Sequence, residues 1–184
     1  MSIKGPILNK FLIVLILAAI FVASSRAWAI EIGEKAPEFA LTDLNGRSVS
    51  LSQFQGKVVI LDFFASWCPP CRQEVPDFIE LQKTYGPRGF SMVGISLVNK
   101  QDAKDFVSKM GINYPVLIDD NKVSMIYGPV RSIPTTFVID RDSRIAKVYI
   151  GYTSKDIFEN DIKQLLSVGG EGSMSSEKPG IGGK

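Results

Sequence analysis

The run Val58-Val59-Ile60-Leu61-Asp62-Phe63-Phe64 carries a single polar side chain, Asp62. A strand this apolar cannot keep one face in water, so it belongs inside a sheet covered on both sides, as parallel sheets are. Soon after it comes Cys68-Pro69-Pro70-Cys71, and then Val75, Phe78, Leu81 and Tyr85 recur at helical spacing. Buried strand, Cys-X-X-Cys and amphipathic helix in that order narrow the chain to alternating α/β architectures.

The flanking segments fit that frame. Phe39, Leu41 and Leu44 lead to Asn45-Gly46, a strong hairpin-turn signal, and Val49 and Leu51 continue beyond it. Pro76 inside the helix predicts a kink, and Gly86-Pro87 ends it. Phe90 to Leu97 reads as a second buried strand. Ala103, Phe106, Val107 and Met110 form a second amphipathic helix closed by Gly111. A short strand over 116–118 and a short helix over 122–127 follow. Strands over 135–140 and 145–150 flank a polar turn, and Thr153 is expected to cap a last helix with Phe158, Ile162, Leu165 and Leu166 facing the core. The expectation is a mixed sheet with helices on both faces, plus an extra N-terminal hairpin.

Composition removes several chemistries. Histidine is absent, so no Ser-His-Asp or Cys-His system and no His-based metal site can exist. The two cysteines cannot complete a four-ligand zinc site, and Arg72 after them rules out c-type haem attachment. No metal or organic cofactor is expected. All 19 acidic residues follow residue 30, whereas Lys4, Lys10 and Arg26 precede it, which leaves 18 of the 21 basic residues beyond that point and a net charge of −1. A balance of that kind does not suit a nucleic-acid binder.

The N-terminus reads as an address. Lys4 and Lys10 precede an uncharged apolar run, Phe11 to Ala23, and Ala27-Trp28-Ala29 supplies an A-x-A cleavage site. Residues 1–29 are expected to be a signal peptide cleaved after Ala29, with an uncleaved anchor as the alternative. The run is short of the ~20 residues that span a bilayer. The expected domain covers 30–168. The Gly- and Ser-rich segment 169–184 reads as a disordered tail without catalytic role.

A Cys-X-X-Cys pair at a helix N-terminus lowers the pKa of its first thiol, through the helix dipole and free backbone N–H groups. Cys68 is therefore the expected nucleophile and Cys71 the resolving thiol. The alternative, an inert stabilising disulfide, has little physical motive, because so small a loop removes little unfolded-state entropy. Asp62, if buried, has a raised pKa and can exchange a proton with Cys71. The alternative is a strand-end Asp that reaches solvent. Neither Pro69 nor Pro70 has an N–H to hold a thiolate, which favours a reductant over an oxidant.

Ala36-Pro37-Glu38-Phe39, the 58–64 strand, Trp67 to Cys71 and Ser132-Ile133-Pro134-Thr135-Thr136-Phe137 resemble the thioredoxin superfamily, and within it the exported TlpA/ResA/CcmG-type branch. The resemblance covers roughly Ile32 to Leu166. It implies a thioredoxin-like fold and a periplasmic or outer-face thiol–disulfide oxidoreductase; separately from the resemblance, a monomer is expected. Pro134 matches the family's cis-proline beside the disulfide, although an ordinary X-Pro bond is usually trans. Ile133 would offer backbone groups to a substrate strand, and Trp67 would cover the sulfurs rather than fill a gap at the strand end. Asp62 matches the buried acid of thioredoxins. Glu74 matches the acid after the motif in the ResA-like branch, the alternative being a solvated helix residue. The implied substrate is an exported protein disulfide, with apocytochrome c in c-type cytochrome maturation as one candidate, and the implied electron donor is a membrane thiol protein. Two rival readings are a peroxiredoxin-like peroxidase and a non-catalytic metal carrier or assembly module. The first lacks a hydroxyl where Ala65 stands, and the second lacks His or Met ligands beside the sulfurs.

Overall fold

The computed structural model describes residues 30–128 and 130–168. The expected signal peptide and tail, 1–29 and 169–184, lie outside the described residues.

Among the described residues, seven strands form one sheet in the order β2-β1-β5-β4-β3-β6-β7. They are β1 (Ala40–Asp43), β2 (Ser48–Ser50), β3 (Val58–Phe64), β4 (Phe90–Ser96), β5 (Val116–Ile118), β6 (Thr135–Ile139) and β7 (Ile145–Ile150). The helices are α1 (Pro69–Tyr85), α2 (Lys100–Met110), α3 (Val123–Ile126) and α4 (Lys155–Val168). Strand β3 is buried along its whole length, parallel to β4 and antiparallel to β6. The first hairpin turns through three residues, Leu44 to Gly46, and Gly46 at φ 83° supplies the left-handed step. Helix α1 runs through Pro76 to Tyr85, and α2 stops at Gly111, whose left-handed φ of 67° closes it.

Alternation along β3 divides the core in two. Val58, Ile60 and Phe64 pack with Val75, Phe78 and Leu81 of α1, Phe106 of α2, and Phe158 and Ile162 of α4. Phe63 points the other way, into an aromatic cluster with Phe39, Tyr127 and Phe137 whose ring centroids lie 5.0–6.3 Å apart. The expectation of helices on both faces is thus met unequally. The three longer helices share one face. The opposite face is closed by the segment around Phe39, by a 3-10 turn at Leu51–Phe54 and by the end of short α3. The cause is topological: β3-α1-β4 and β4-α2-β5 are parallel crossovers stepping in the same direction, and right-handed crossovers then place both helices on one face.

One local expectation fails. Helix α4 begins at Lys155, and the Ser154 carbonyl accepts its first hydrogen bonds, from the N–H groups of Ile157 and Phe158. Ser154, not Thr153, holds the capping position. The Thr153 N–H is engaged elsewhere, by Glu74.

Candidate active site

The C-terminal end of β3 delivers the chain to Cys68, which is the N-cap of α1 and is joined to Cys71 by a disulfide. The Cys71 N–H donates to Cys68 Sγ at 3.3 Å. Pro69 and Pro70 fill the first two helical positions, where a missing N–H costs nothing to the helix. They also remove two of the donors that would otherwise face the sulfur, so Cys71 supplies the first backbone N–H beyond Cys68. Both sulfur-bearing residues are nearly covered, Cys71 slightly more than Cys68.

The loop before β6 closes over the pair. The Ile133–Pro134 peptide is cis, and the Ile133 carbonyl oxygen lies 3.7 Å from Cys68 Sγ. Pro134 is buried and Ile133 half-buried. Trp67, immediately before Cys68, is 70% exposed, so it does not fill a gap at the strand end. Arg72 reaches back to the Ser66 carbonyl and lies over the Phe106 ring.

Two carboxyls are buried on the strand and the helix that flank the disulfide. Asp62 shares the helix-covered face of β3 with Ile60 and Phe64, sits opposite Thr136 of β6, and accepts its hydroxyl proton at 3.0 Å. Burial pushes the Asp62 carboxyl up to about 7, while the Thr136 hydrogen bond pulls it down. It is no strand-end residue open to solvent, being 4% exposed. Glu74, one turn beyond Cys71, is completely buried rather than on a solvated helix face. Its Oε1 accepts the Thr153 N–H at 2.7 Å, and its Oε2 is buried without a partner among the described residues. Burial is the largest cause that raises Glu74 to about 8; the Thr153 bond opposes it, and the negative fields of Asp62 and Asp77 add to it. Carboxyls poised this near neutrality can both hold and release a proton.

Across the sheet from Asp62 stands Gly94 of β4, and the Tyr114 ring packs over it. Burial raises the Tyr114 hydroxyl well above its ordinary range, and the fields of Asp62 and Glu74 act in the same direction. Sequence reasoning brought forward Cys68, Cys71, Asp62, Glu74, Trp67, Ile133 and Pro134, and the fold gathers these at one end of the sheet. It did not assign Thr136, Thr153 or Tyr114 to the site. Their partners are 74, 79 and about 20 residues away along the chain, and only strand register and helix docking bring them close.

Known proteins resemble the chain over most of its length. The AhpC/TSA family matches residues 32–148. A thiol-disulfide oxidoreductase ResA of Bacillus thuringiensis (strain Al Hakam) is 36% identical over 138 residues, 74% of this chain and 79% of that protein. A thiol:disulfide interchange protein of the thioredoxin family from Chlorobium tepidum TLS superposes with a TM-score of 0.69 at 35% identity, covering 75% of this chain and 99% of that one. A secreted Mycobacterium tuberculosis disulfide oxidoreductase homologous to E. coli DsbE superposes with a TM-score of 0.63 at 25% identity, covering 69% and 96%. The chain belongs to the AhpC/TSA family, has the thioredoxin-like fold, and is a thiol–disulfide oxidoreductase.

Proposed function

We propose that the Cys68–Cys71 pair works as a dithiol reductant of disulfides in exported proteins. The observation that carries this direction is the proline pair at the start of α1. With Pro69 and Pro70 lacking N–H groups, the Cys68 thiolate of the reduced form receives less stabilisation, and a less stabilised thiolate makes the disulfide a weaker oxidant.

The Cys68 thiolate attacks a substrate disulfide. A Cys68–substrate S–S bond forms, the substrate S–S bond breaks, and the departing thiolate takes a proton. Cys71 then gives its proton to a buried carboxylate, attacks Cys68 Sγ and expels the second substrate sulfur, which is protonated in turn. The substrate gains two electrons and two protons, and the enzyme keeps a disulfide. Asp62 and Glu74 are the groups in position to take and return the Cys71 proton. Trp67, Ile133 and Pro134 line the mouth against which the substrate rests.

In this reading residues 1–29 export a single domain, 30–168, to the periplasm or the outer face of the membrane, and 169–184 trail without catalytic role. The secreted relative supports that location. A membrane thiol protein returns the enzyme to the dithiol, and apocytochrome c is one substrate compatible with the chemistry. Ala65, three residues before Cys68, carries no hydroxyl to bind a peroxide, which speaks against peroxidase action.

The test is the reduction potential of the pair, followed by the fluorescence of Trp67 beside it. A value below about −230 mV supports a reductant, and one near about −120 mV makes the protein an oxidant.

A further inference from the structure

Thr135 and Thr136 follow Pro134 side by side on β6, and alternation along the strand turns them to opposite faces. The Thr135 hydroxyl donates to the Ser132 carbonyl at 2.7 Å, inside its own loop. The Thr136 hydroxyl donates across the sheet to Asp62 Oδ1 at 3.0 Å, and among the described residues it is the one hydrogen-bond partner of that carboxyl. Thr136 is completely buried. The other groups around Asp62 do not favour its charge. Glu74 of α1 and Tyr114 before β5 are the titratable groups whose fields it meets, and both are acids. On β4 its neighbour is Gly94, which has no side chain, and α2 and α4 bring the apolar Phe106, Phe158 and Ile162 to this side of the sheet. Burial thus disfavours the Asp62 carboxylate, and the Thr136 hydroxyl is what favours it.

A hydroxyl bonds a carboxylate more strongly than it bonds a neutral acid. Its donation to Oδ1 favours that oxygen as the carbonyl of the neutral acid and leaves Oδ2 to take up a proton. We infer that Thr136 is a positioning residue of the thiol–disulfide reaction, which holds Oδ1 of Asp62, assigns the exchanging proton to Oδ2 and keeps the carboxylate form accessible at neutral pH. The inference rests on the reading of Asp62 as a group that takes the Cys71 proton. In that step the Cys71 S–H bond breaks as the Oδ2–H bond forms, and the electron pair stays on sulfur for the attack on Cys68. An Asp62 without its hydroxyl partner would remain neutral over the same range. It could still return a proton to Cys71, but it would seldom be free to accept one. Thr136 balances the two directions of transfer, because its bond opposes the effect of burial.

The test is the pH titration of the Asp62 carboxyl carbon, followed by NMR in oxidised protein carrying isotope-labelled aspartate, with Asp62→Asn identifying the signal. Thr136→Val, close to Thr in shape, should raise the midpoint by about one pH unit, and Thr136→Ser, which keeps the hydroxyl, should hold it at the wild-type value. Thr135→Val removes the neighbouring hydroxyl and should leave the midpoint unchanged. The second readout is the rate constant for opening of the disulfide by dithiothreitol, counted per donor thiolate, in a Glu74→Gln background. Its fall with rising pH should begin about one pH unit later in Thr136→Val. A midpoint that Thr136→Val leaves in place, or that Thr136→Ser moves equally, overturns the inference, as does a shifted midpoint with an unshifted rate profile. A rate profile that Asp62→Asn leaves unaltered sinks the reading of Asp62 as acid and base, and the role of Thr136 with it. Should Thr136→Val not fold, Thr136→Ala carries the same expectation.

Discussion

Replacing Asp62 with Asn should make the oxidised protein less sensitive to alkaline pH. In the folded chain the Asp62 carboxyl is raised from 3.8 to about 7, chiefly by burial. Between those values the folded protein holds close to one proton more than the unfolded chain at this site. Stability therefore falls as pH rises, by up to ~1.4 kcal/mol per pH unit. The contribution is complete below about pH 4 and is lost as pH climbs through about 7. Integrated from pH 5 to pH 8, the loss assigned to Asp62 is about 2–3 kcal/mol. Asn keeps an oxygen to accept the Thr136 hydroxyl, so the variant removes the titration while sparing that bond.

The assay is urea unfolding of the oxidised wild type and Asp62→Asn at a series of pH values. The variant should gain about 2–3 kcal/mol relative to wild type between pH 5 and pH 8. A residual slope of the same sign should remain, because Glu74 is raised to about 8 and also loses its contribution as pH rises. That slope should end at a lower pH than in wild type, since the Asp62 charge is among the causes that raise Glu74. Asp43 and Glu159 are lowered instead, so their contributions are lost only on acidification and fall outside this window. Parallel pH curves for the two proteins would refute the claim that Asp62 is neutral in the fold.

Three further outcomes follow from the geometry. Cys71→Ser should accumulate a covalent Cys68–substrate adduct visible by mass spectrometry, and Cys68→Ser should form none. Pro70→Ala restores an N–H at the second helical position near Cys68 Sγ, and should raise the reduction potential by roughly 10–30 mV in a glutathione equilibrium. Gly94→Ala places a methyl 2.9 Å from Phe64 Cε1 and 3.5 Å from both Tyr114 and Val116, so it should cost about 1–3 kcal/mol in denaturant unfolding.

What could be read in the sequence was local. The 58–64 run needs no partner to announce a buried strand, and the spacing of Val75, Phe78 and Leu81 needs none to announce a helix. The Cys-X-X-Cys pair carries its own geometry, because three residues across a helix start bring the sulfurs together. Which face each helix covers was not legible, since it depends on the direction in which successive crossovers step. The partners of the two buried acids were hidden for the same reason. Thr136 meets Asp62 through the register of β3 against β6, and Thr153 meets Glu74 through the docking of α1 beside the β7–α4 turn. Thr153 was misread as a cap because Ser154 offers an equally good capping side chain one residue later, and local pattern does not choose between them.

The same two acids predict how the enzyme disulfide is reopened. A donor thiolate that attacks Cys68 expels Cys71 as a thiolate in the protein interior, where an unprotonated sulfur is poorly solvated. A neutral carboxylic acid beside it supplies the missing proton, and Asp62 and Glu74 are both neutral acids below about 7 and about 8 in this disulfide form. With no histidine in the chain, no imidazolium can take over that task. The rate constant for re-reduction, expressed per donor thiolate so that the donor's own titration drops out, should fall by about ten-fold or more as pH rises from 6 to 9. Asp62→Asn should confine the fall to the range set by Glu74, and the double variant with Glu74→Gln should flatten it at a uniformly low rate. A wild-type profile flat in thiolate-corrected terms would mean that Cys71 takes its proton from solvent, and that the buried acids act on stability alone.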